Sequence, residues 1–274
     1  MFKIIIMALL IFIGMVGYDN ITDKAQPTTP VQQEQQKVSK HEKSAAMALF
    51  TSLLPPKEEW PSPVHKFYLA FNMDEVTDPI RQNPNWTGLD AMSRDIPQAL
   101  IAIEDHAFYN HGAIAVEGIL RAALANINAG EVVQGGSTLT QQFVKNVFLS
   151  HEQSMERKIE EAVLSLMLED NYSKDEILEL YLNTTYFGAG STGIKQASRT
   201  YFGKAPSALT LAEAAVIASL PYAPTSLNPL ENPEGCKKRQ LLVLAAMHKY
   251  GMINQGQLAE AKAEKIRLTN GTVM

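Results

Sequence analysis

The sequence has a single cysteine, Cys236, in 274 residues, and no excess of positive charge. One cysteine can form neither an intrachain disulfide framework nor a cysteine-based metal site. The formal net charge of −5 argues against a general nucleic-acid-binding protein. Glu104, His106 and His111 do not have the His-Glu-x-x-His spacing of a zinc-binding helix, so we exclude a metalloprotease. The chain does have 46% hydrophobic residues, enough for one sizeable core, in one or two lobes.

The N-terminus carries an uninterrupted apolar run, because from Ile4 to Gly17 every residue is apolar or glycine. This run is shorter than the ~20 residues of an upright membrane-spanning helix and falls within the ~7–15 residues of a secretory signal. No small-residue cleavage pattern follows Gly17, and Lys3 can reach the inner membrane surface. We therefore expect residues 1–18 to be a transmembrane anchor or an uncleaved signal, with the remaining chain exported.

Composition changes twice after this run. Residues 19–59 are rich in Gln, Thr, Pro and Lys without an apolar period, which predicts a flexible tether. Residues 60–86 contain prolines and aromatic residues and predict an irregular or extended start to a folded domain at residues 60–274. From Pro97 onward the apolar residues recur at helical spacing, so the predicted fold class is mostly α.

Two adjacent acids, Glu104 and Asp105, lie in the otherwise apolar and aromatic stretch "IEDHAFYNHG". A carboxylate is costly to bury in such surroundings unless it is paired or hydrogen-bonded. Either these acids cap a helix and form a local salt bridge, or one of them is a base in a dry cleft. The stretch alone favours the structural interpretation.

The segment "QGGSTLTQQFVKN" predicts a helix start behind two glycines, with Thr138 and Gln141 at capping-box spacing. Free N–H groups and the positive end of the helix dipole make such a start suitable for binding an anion. An ordinary capped amphipathic helix is an equally good interpretation. Further on, "MERKIEEA" has Arg157 and Glu161 one helical turn apart, which by itself indicates a solvated helix face.

Taken together, "IEDHAFYNHG", "GGSTLTQQ", "RKIEE" and "KDEILELYLN" occur in an order that resembles family 51 glycosyltransferases. These are the peptidoglycan glycosyltransferases, found alone or fused in class A penicillin-binding proteins. The resemblance covers residues 97–229. It implies a lysozyme-like, two-lobed helical domain behind an N-terminal membrane segment, and polymerisation of lipid II into β-1,4-linked glycan strands with inversion and release of polyprenyl pyrophosphate.

The resemblance also implies roles for individual residues. Glu104 matches the catalytic base, and Glu161 matches a second catalytic carboxylate that acts at the pyrophosphate through a hydrogen bond or a bound Mg²⁺ or Mn²⁺ ion; no organic cofactor is expected. The residues that match substrate-binding positions are Ser137, Thr138, Gln141, Gln142, Lys145, Arg157 and Lys158. The residues that match structural positions near the site are Asp105, Phe108, His111, Gly112, Gly136 and Asn146.

The implied partners are lipid II, the nascent lipid-linked glycan, the membrane and other cell-wall synthesis proteins, with no nucleic acid. The implied location is the bacterial cytoplasmic (inner) membrane, with a single span and the catalytic domain outside. The chain has no Ser-x-x-Lys and no Lys-Thr-Gly motif, so we expect no transpeptidase activity. Gln153 stands where the family commonly has an arginine, which puts one phosphate contact in doubt.

Two other function classes fit parts of the sequence. A lysozyme-like muramidase or lytic transglycosylase needs one catalytic glutamate, but it has no use for cations around a pyrophosphate, and Lys145 and Arg157 argue against it. A catalytically silent, membrane-tethered scaffold of the wall machinery is supported by Gln153. The products formed from lipid II distinguish all three classes.

Overall fold

The computed structural model describes residues 68–69, 72–118, 136–149 and 154–274. Residues 72–274 form one compact unit, whereas Tyr68 and Leu69 are helical residues of a separate unit. The predicted anchor at residues 1–18 and tether at residues 19–59 lie outside the described residues. Among the residues that are described, no helix is long and apolar enough to cross a membrane.

The described part of the compact unit is built from α-helices joined by turns and short 3₁₀ segments, which confirms the mostly α prediction. Within it, extended pairing is limited to two isolated antiparallel bridges, Tyr186 with Thr192 and Arg267 with Val273. The helices are α1 Asp74–Arg81, α2 Asp95–Glu104, α3 Leu139–Phe148, α4 Met155–Asn171, α5 Lys174–Thr184, α6 Ile194–Phe202, α7 Leu211–Ser219, α8 Pro233–Lys249 and α9 Gln255–Ala263.

The hydrophobic core centres on α7, which packs against both α2 and α8. Every residue of α7 from Ala212 to Ser219 is buried, so this helix has no solvated face. A helix that is apolar all round is stable only when it is surrounded by other elements. The packing of α2 against α7 and α8 therefore fixes the position of Glu104, the last residue of α2.

Cys236 lies in this core, on the side of α8 that faces α7. Its sulfur is 3.8 Å from the hydroxyl oxygen of Ser219, and its side chain has no solvent exposure. Burial raises the pKa of the Cys236 thiol to about 11. The thiol is therefore protonated and serves as a small core residue.

A second group of helices consists of α3, α4 and α5, with α3 packed against the other two. Leu139 and Phe143 of α3 are fully buried in this group, together with Leu168 of α4 and Leu178 of α5. The helix α6 contacts both α5 and α7 and so touches both groups. The start of α3 thus belongs to the second group of helices. It also lies next to the end of α2, because the Leu139 backbone N–H contacts Asp105.

Residues 74–81 differ from the expected irregular lead-in, because they form α1 despite Pro79. Proline disfavours a helix interior by removing an N–H donor. Here tertiary contacts compensate: α1 packs on α5, Thr77 is fully buried, and the Tyr172 hydroxyl contacts both Thr77 and Asp74. The helical pattern around Glu104 also ends earlier than its apolar spacing indicates, because Asp105 leaves the helical conformation and a 3₁₀ turn follows at Phe108–Asn110.

Candidate active site

Glu104 ends α2 and is partly buried. One of its carboxylate oxygens, Oε2, accepts a hydrogen bond of 3.0 Å from the side-chain amide of Gln142 on α3. Burial raises the pKa of Glu104 above the usual carboxylate range, while the Gln142 hydrogen bond and the charges of Arg239 and Lys145 counteract this shift. A carboxylate with a raised pKa that still ionises can act as a general base.

Asp105 joins the end of α2 to the start of α3. Its Oδ2 accepts a hydrogen bond of 3.0 Å from the backbone N–H of Leu139, and its Oδ1 lies 2.6 Å from His111 Nε2. His111 Nδ1 lies 2.6 Å from the carbonyl oxygen of Gly112. Because both of these partners only accept hydrogen bonds, His111 satisfies them as an imidazolium with two N–H donors. The hydrogen bond to Asp105 is the main reason that the pKa of His111 is raised.

The start of α3 is closed by the capping box that the sequence predicts. Gln141 N–H donates to the Thr138 hydroxyl oxygen, and Thr138 N–H donates to Gln141 Oε1. The Thr138 hydroxyl donates to the carbonyl oxygen of Ala113, 2.8 Å away. Thr138 and Gln141 are both buried, so the structure gives them a capping role. Ser137 and Gln142 are the neighbours of this box that remain partly exposed.

A cluster of charges lies at the start of α4, and we call Arg157, Lys158 and Glu161 the Glu161 cluster. Lys158 forms an ion pair with Glu161 Oε1 and also donates to the Ser137 hydroxyl, at 3.2 Å. Arg157 lies 3.8 Å from Glu161 Oε2. Ser154 caps α4 by accepting the Arg157 backbone N–H, which puts both cations in the first helical turn.

Cations in the first turn of a helix are disfavoured by the helix dipole. The Glu161 carboxylate, which is 2% exposed, offsets part of this cost. Among the described residues, nothing accepts a hydrogen bond from the buried Nε of Arg157. The cluster therefore has donor capacity that its own carboxylate does not use, which suits it to bind an anion.

The helix α3 connects this cluster to Glu104. Ser137, directly before its cap, contacts Lys158, whereas Gln142 contacts Glu104. These two positions are separated by roughly one and a half helical turns. A partly buried base and a cationic cluster therefore both contact the N-terminal part of a single helix.

The remaining predicted residues lie on α3 or in the turns near it. Lys145 and Asn146 are exposed on α3, and Gly112 and Gly136 are partly buried in the turns on either side of the site. Phe108 is fully buried, with the Lys174 ammonium 4.5 Å from its ring centre. Gln153 lies outside the described residues.

Two residues near Glu104 were missed by the sequence analysis. Tyr181 on α5 donates its hydroxyl proton to Gln142 Oε1 at 3.0 Å, and Arg239 on α8 contributes a positive charge near Glu104. Tyr181 lies within the quoted stretch "ILELYLN", which was a signal that could have identified it. The guanidinium carbon of Arg239 lies 4.1 Å from the ring centre of Tyr222, a contact that no local pattern predicts.

The donor set around Glu161 does not resemble a protein-held metal site. Its carboxylate already faces two cationic side chains, and no group of three His, Cys, Asp or Glu side chains is close enough to share an ion within the described ranges. We therefore derive no step through a metal ion, and the ion at Glu161 stays a prediction.

Comparison with known proteins identifies the family. A family model described as Transglycosylase matches residues 72–248. A Cupriavidus necator protein named "Putative transglycosylase" is 41% identical over 197 residues, which cover 72% of this chain and 84% of the relative. Penicillin-binding protein 1A of Neisseria flavescens is 44% identical over 185 residues, covering 68% of this chain and 23% of the relative. The corresponding protein of Aquifex aeolicus is 44% identical over 176 residues, covering 64% and 24%.

The chain thus spans about a quarter of the length of these two penicillin-binding proteins and most of the length of the Cupriavidus relative. The matched region contains Glu104, the start of α3 and the Glu161 cluster. The resemblance seen in the sequence motifs is confirmed, and this chain belongs to the Transglycosylase family of glycosyltransferases.

Proposed function

We propose that this protein polymerises lipid II into glycan strands, with Glu104 as the general base and the Glu161 cluster, together with Lys145, as the binding site for the donor's pyrophosphate. The observation that carries the proposal is a pair of contacts at the start of α3, where Gln142 contacts Glu104 and Ser137 contacts Lys158. A base and an anion site held next to the same helix start are what transfer from a pyrophosphate leaving group requires.

In the proposed reaction the C4 hydroxyl oxygen of the incoming lipid II attacks the anomeric carbon of the growing chain. The new carbon–oxygen bond forms as the bond from that carbon to the pyrophosphate breaks, so an α linkage is replaced by a β linkage. The hydroxyl proton passes to Glu104, and the bonding electron pair leaves with the polyprenyl pyrophosphate. Lys145, Arg157 and Lys158 then stabilise the negative charge that develops on the leaving group.

The finer features of the resemblance form part of the same proposal. We infer a lysozyme-like, two-lobed arrangement of the helices, anchorage in the cytoplasmic membrane by residues 1–18, and an extracytoplasmic catalytic domain. The lipid-linked nature of both substrates supports a membrane location. Other cell-wall synthesis proteins are the proposed protein partners.

The test is a lipid II polymerisation assay on the full chain in detergent. The wild type should form new glycan polymer, and Glu104→Gln should lower the rate by about 100- to 10,000-fold while the far-ultraviolet circular dichroism is unchanged, because the amide cannot accept the proton. Near-wild-type polymerisation by Glu104→Gln would contradict the assignment of the base. Cleavage of added glycan would support the lytic alternative, and the absence of any product would support the scaffold alternative.

A further inference from the structure

Tyr181 lies in the stretch "ILELYLN" and has no role in the proposed function so far. It is fully buried on α5, and its hydroxyl lies 3.0 Å from Gln142 Oε1. The amide nitrogen of Gln142 lies 3.0 Å from Glu104 Oε2. Side chains from α5, α3 and α2 thus form one hydrogen-bonded chain, Tyr181–Gln142–Glu104, which ends on the proposed base.

We propose that Tyr181 is a positioning residue whose hydroxyl fixes the orientation of the Gln142 amide, so that the amide holds the Glu104 carboxylate ionised and aligned for proton transfer. The inference rests on the proposed function, because it gives Tyr181 a part in that reaction. It assigns Tyr181 no contact with substrate.

The polarity of the Gln142 amide determines which of its ends can face Glu104. An amide has one end that accepts hydrogen bonds and one end that donates them, and glutamine can present either end to a given neighbour. A carboxylate only accepts, so the amide nitrogen must face Glu104, and the amide oxygen must then face a donor. Tyr181 supplies that donor. Without it, a flipped amide would bring its oxygen against the carboxylate, where both atoms carry negative charge.

The Tyr181 hydroxyl is a permanent donor in a fixed place. Burial, followed by the negative charge of Glu104, raises the pKa of Tyr181, which favours the protonated phenol. Its ring is buried on α5, which is closed by the capping box of Ser173 and Glu176. Glutamine has three rotatable bonds and loses considerable freedom when it is held, so a rigid partner is needed to keep it in one orientation.

A core-filling role for Tyr181 leads to different expectations. If the ring only fills space, removal of the hydroxyl lowers stability and leaves the titration of Glu104 unchanged. If the hydroxyl acts through Gln142, its removal weakens the hydrogen bond that lowers the Glu104 pKa. The pKa of Glu104 then rises, and since only the ionised form accepts the proton, the acid limb of the rate profile moves to higher pH. Lys145, Arg239 and Asp105, the charged groups around Glu104, are unchanged in this comparison.

The experiment measures kcat/KM for lipid II polymerisation against pH for the full chain in detergent, in wild type and Tyr181→Phe. We expect kcat/KM to fall about threefold to tenfold on the acid side, and to recover towards the wild-type value at high pH, as the loss of one hydrogen bond predicts. The decrease caused by Tyr181→Phe should lie mainly in kcat and not in KM. In a Gln142→Leu background, Tyr181→Phe should cause no further shift of the acid limb.

The matched control is Tyr201→Phe. Tyr201 is also fully buried, and its hydroxyl donates to the carbonyl oxygen of Phe187 at 2.7 Å, so this variant loses a comparable hydrogen bond outside the site. Tyr201→Phe should lower the melting temperature and leave the acid limb in place. An unshifted acid limb in folded Tyr181→Phe, or an equal shift in Tyr201→Phe, would overturn the inference.

A direct titration separates this inference from the proposed function. The ¹³C resonance of the Glu104 carboxyl, assigned by its loss in Glu104→Gln, should titrate at higher pH in Tyr181→Phe than in wild type. If the wild type makes no polymer, the proposed function fails, and the titration still decides whether Tyr181 acts on Glu104. An unchanged titration would refute the inference even if the wild type is an active polymerase.

Discussion

Two lysine–glutamate pairs in this molecule have nearly the same burial but different surroundings. Lys158 and Glu161 are 46% and 2% exposed, and Lys204 and Glu213 are 40% and 4% exposed. Lys204 contacts both oxygens of Glu213, at 2.7 and 2.9 Å, and Glu213 also accepts the backbone N–H of Thr210 in the capping box of α7. In that pair the Glu213 carboxylate neutralises the Lys204 ammonium and also accepts a backbone N–H at the start of α7.

In the Glu161 cluster, the charges and the helix terminus do not complement each other in this way. Its two cations lie in the first turn of α4, against the helix dipole, and Lys158 reaches past Glu161 to Ser137. A buried carboxylate paired with lysine therefore does not by itself mark an active site. What distinguishes the candidate site is a second cation, Arg157, whose Nε finds no acceptor in the described part of the chain, and a location beside the start of α3.

Among substitutions in the Glu161 cluster, we expect Arg157→Ala to slow polymerisation most. Loss of a donor to the developing pyrophosphate charge should slow polymerisation by about 100- to 1000-fold. Lys145→Ala should act in the same direction. The melting temperature should change little for Lys145→Ala, because Lys145 is exposed. Steady-state rates and thermal unfolding of the same preparations test this. An intact rate with a large drop in melting temperature would identify Arg157 as a structural partner of Glu161.

Removing the lysine of each pair in turn compares the two pairs directly, with a smaller expected effect on the rate. Lys158→Ala should slow polymerisation about tenfold, the cost of one charge-assisted contact at a half-exposed side chain. Lys204→Ala should leave the rate unchanged and destabilise the fold by about 1–3 kcal/mol, because Glu213 loses its counterion while it remains buried. Rates and urea unfolding of both variants measure this contrast. Equal rate losses in the two variants would remove the distinction between the pairs.

A still weaker effect is expected for His111, which stabilises the turn that follows α2 through its contacts with Asp105 and Gly112. Its folded-state pKa is raised above the ordinary value of 6.5, so its contribution to stability is fully present below about pH 6.5 and is lost as the pH rises through the raised value. The contribution should be no more than about 1 kcal/mol, because the side chain is partly exposed to solvent. Melting temperatures between pH 6 and 9 should decline in wild type.

The control for this slope is His248→Gln, which changes an exposed histidine on α8 and should retain the decline. His111→Gln should abolish most of it, since the glutamine side chain does not titrate. A decline of equal steepness in His111→Gln would show that another group is responsible.

Local chemistry explains what the sequence predicted well. The predicted capping box at Thr138 is present, because it depends on two side chains three residues apart, and Ser173 and Thr210 form the same motif at the starts of α5 and α7. The family and the class of enzyme were also predicted, because four ordered motifs are far more specific than any one of them. Asp105 contacts the Leu139 backbone N–H and His111, and its structural role in the site stays a prediction.

Tertiary contacts explain what the sequence did not predict. α1 forms despite Pro79 because Tyr172 and the neighbouring α5 hold it, and no local pattern contains that information. The proximity of Arg239 to Glu104 depends on the packing of α8 against α2, two helices far apart in the chain. The different roles of the two glutamines in "STLTQQ" could not be predicted either. Gln141 completes the capping box, whereas the adjacent Gln142 contacts Glu104.

Because Cys236 is buried, a spectroscopic label can be attached selectively to a second, introduced cysteine. Cys236 is the sole cysteine in the sequence, and its protonated, inaccessible thiol should not react with maleimide while α7 and α8 stay packed. A cysteine introduced on the exposed face of α3 or α4 would therefore be modified selectively without removal of the native one. Slow modification of Cys236 itself would then report how often the contact between α7 and α8 opens, under conditions in which the chain is otherwise native.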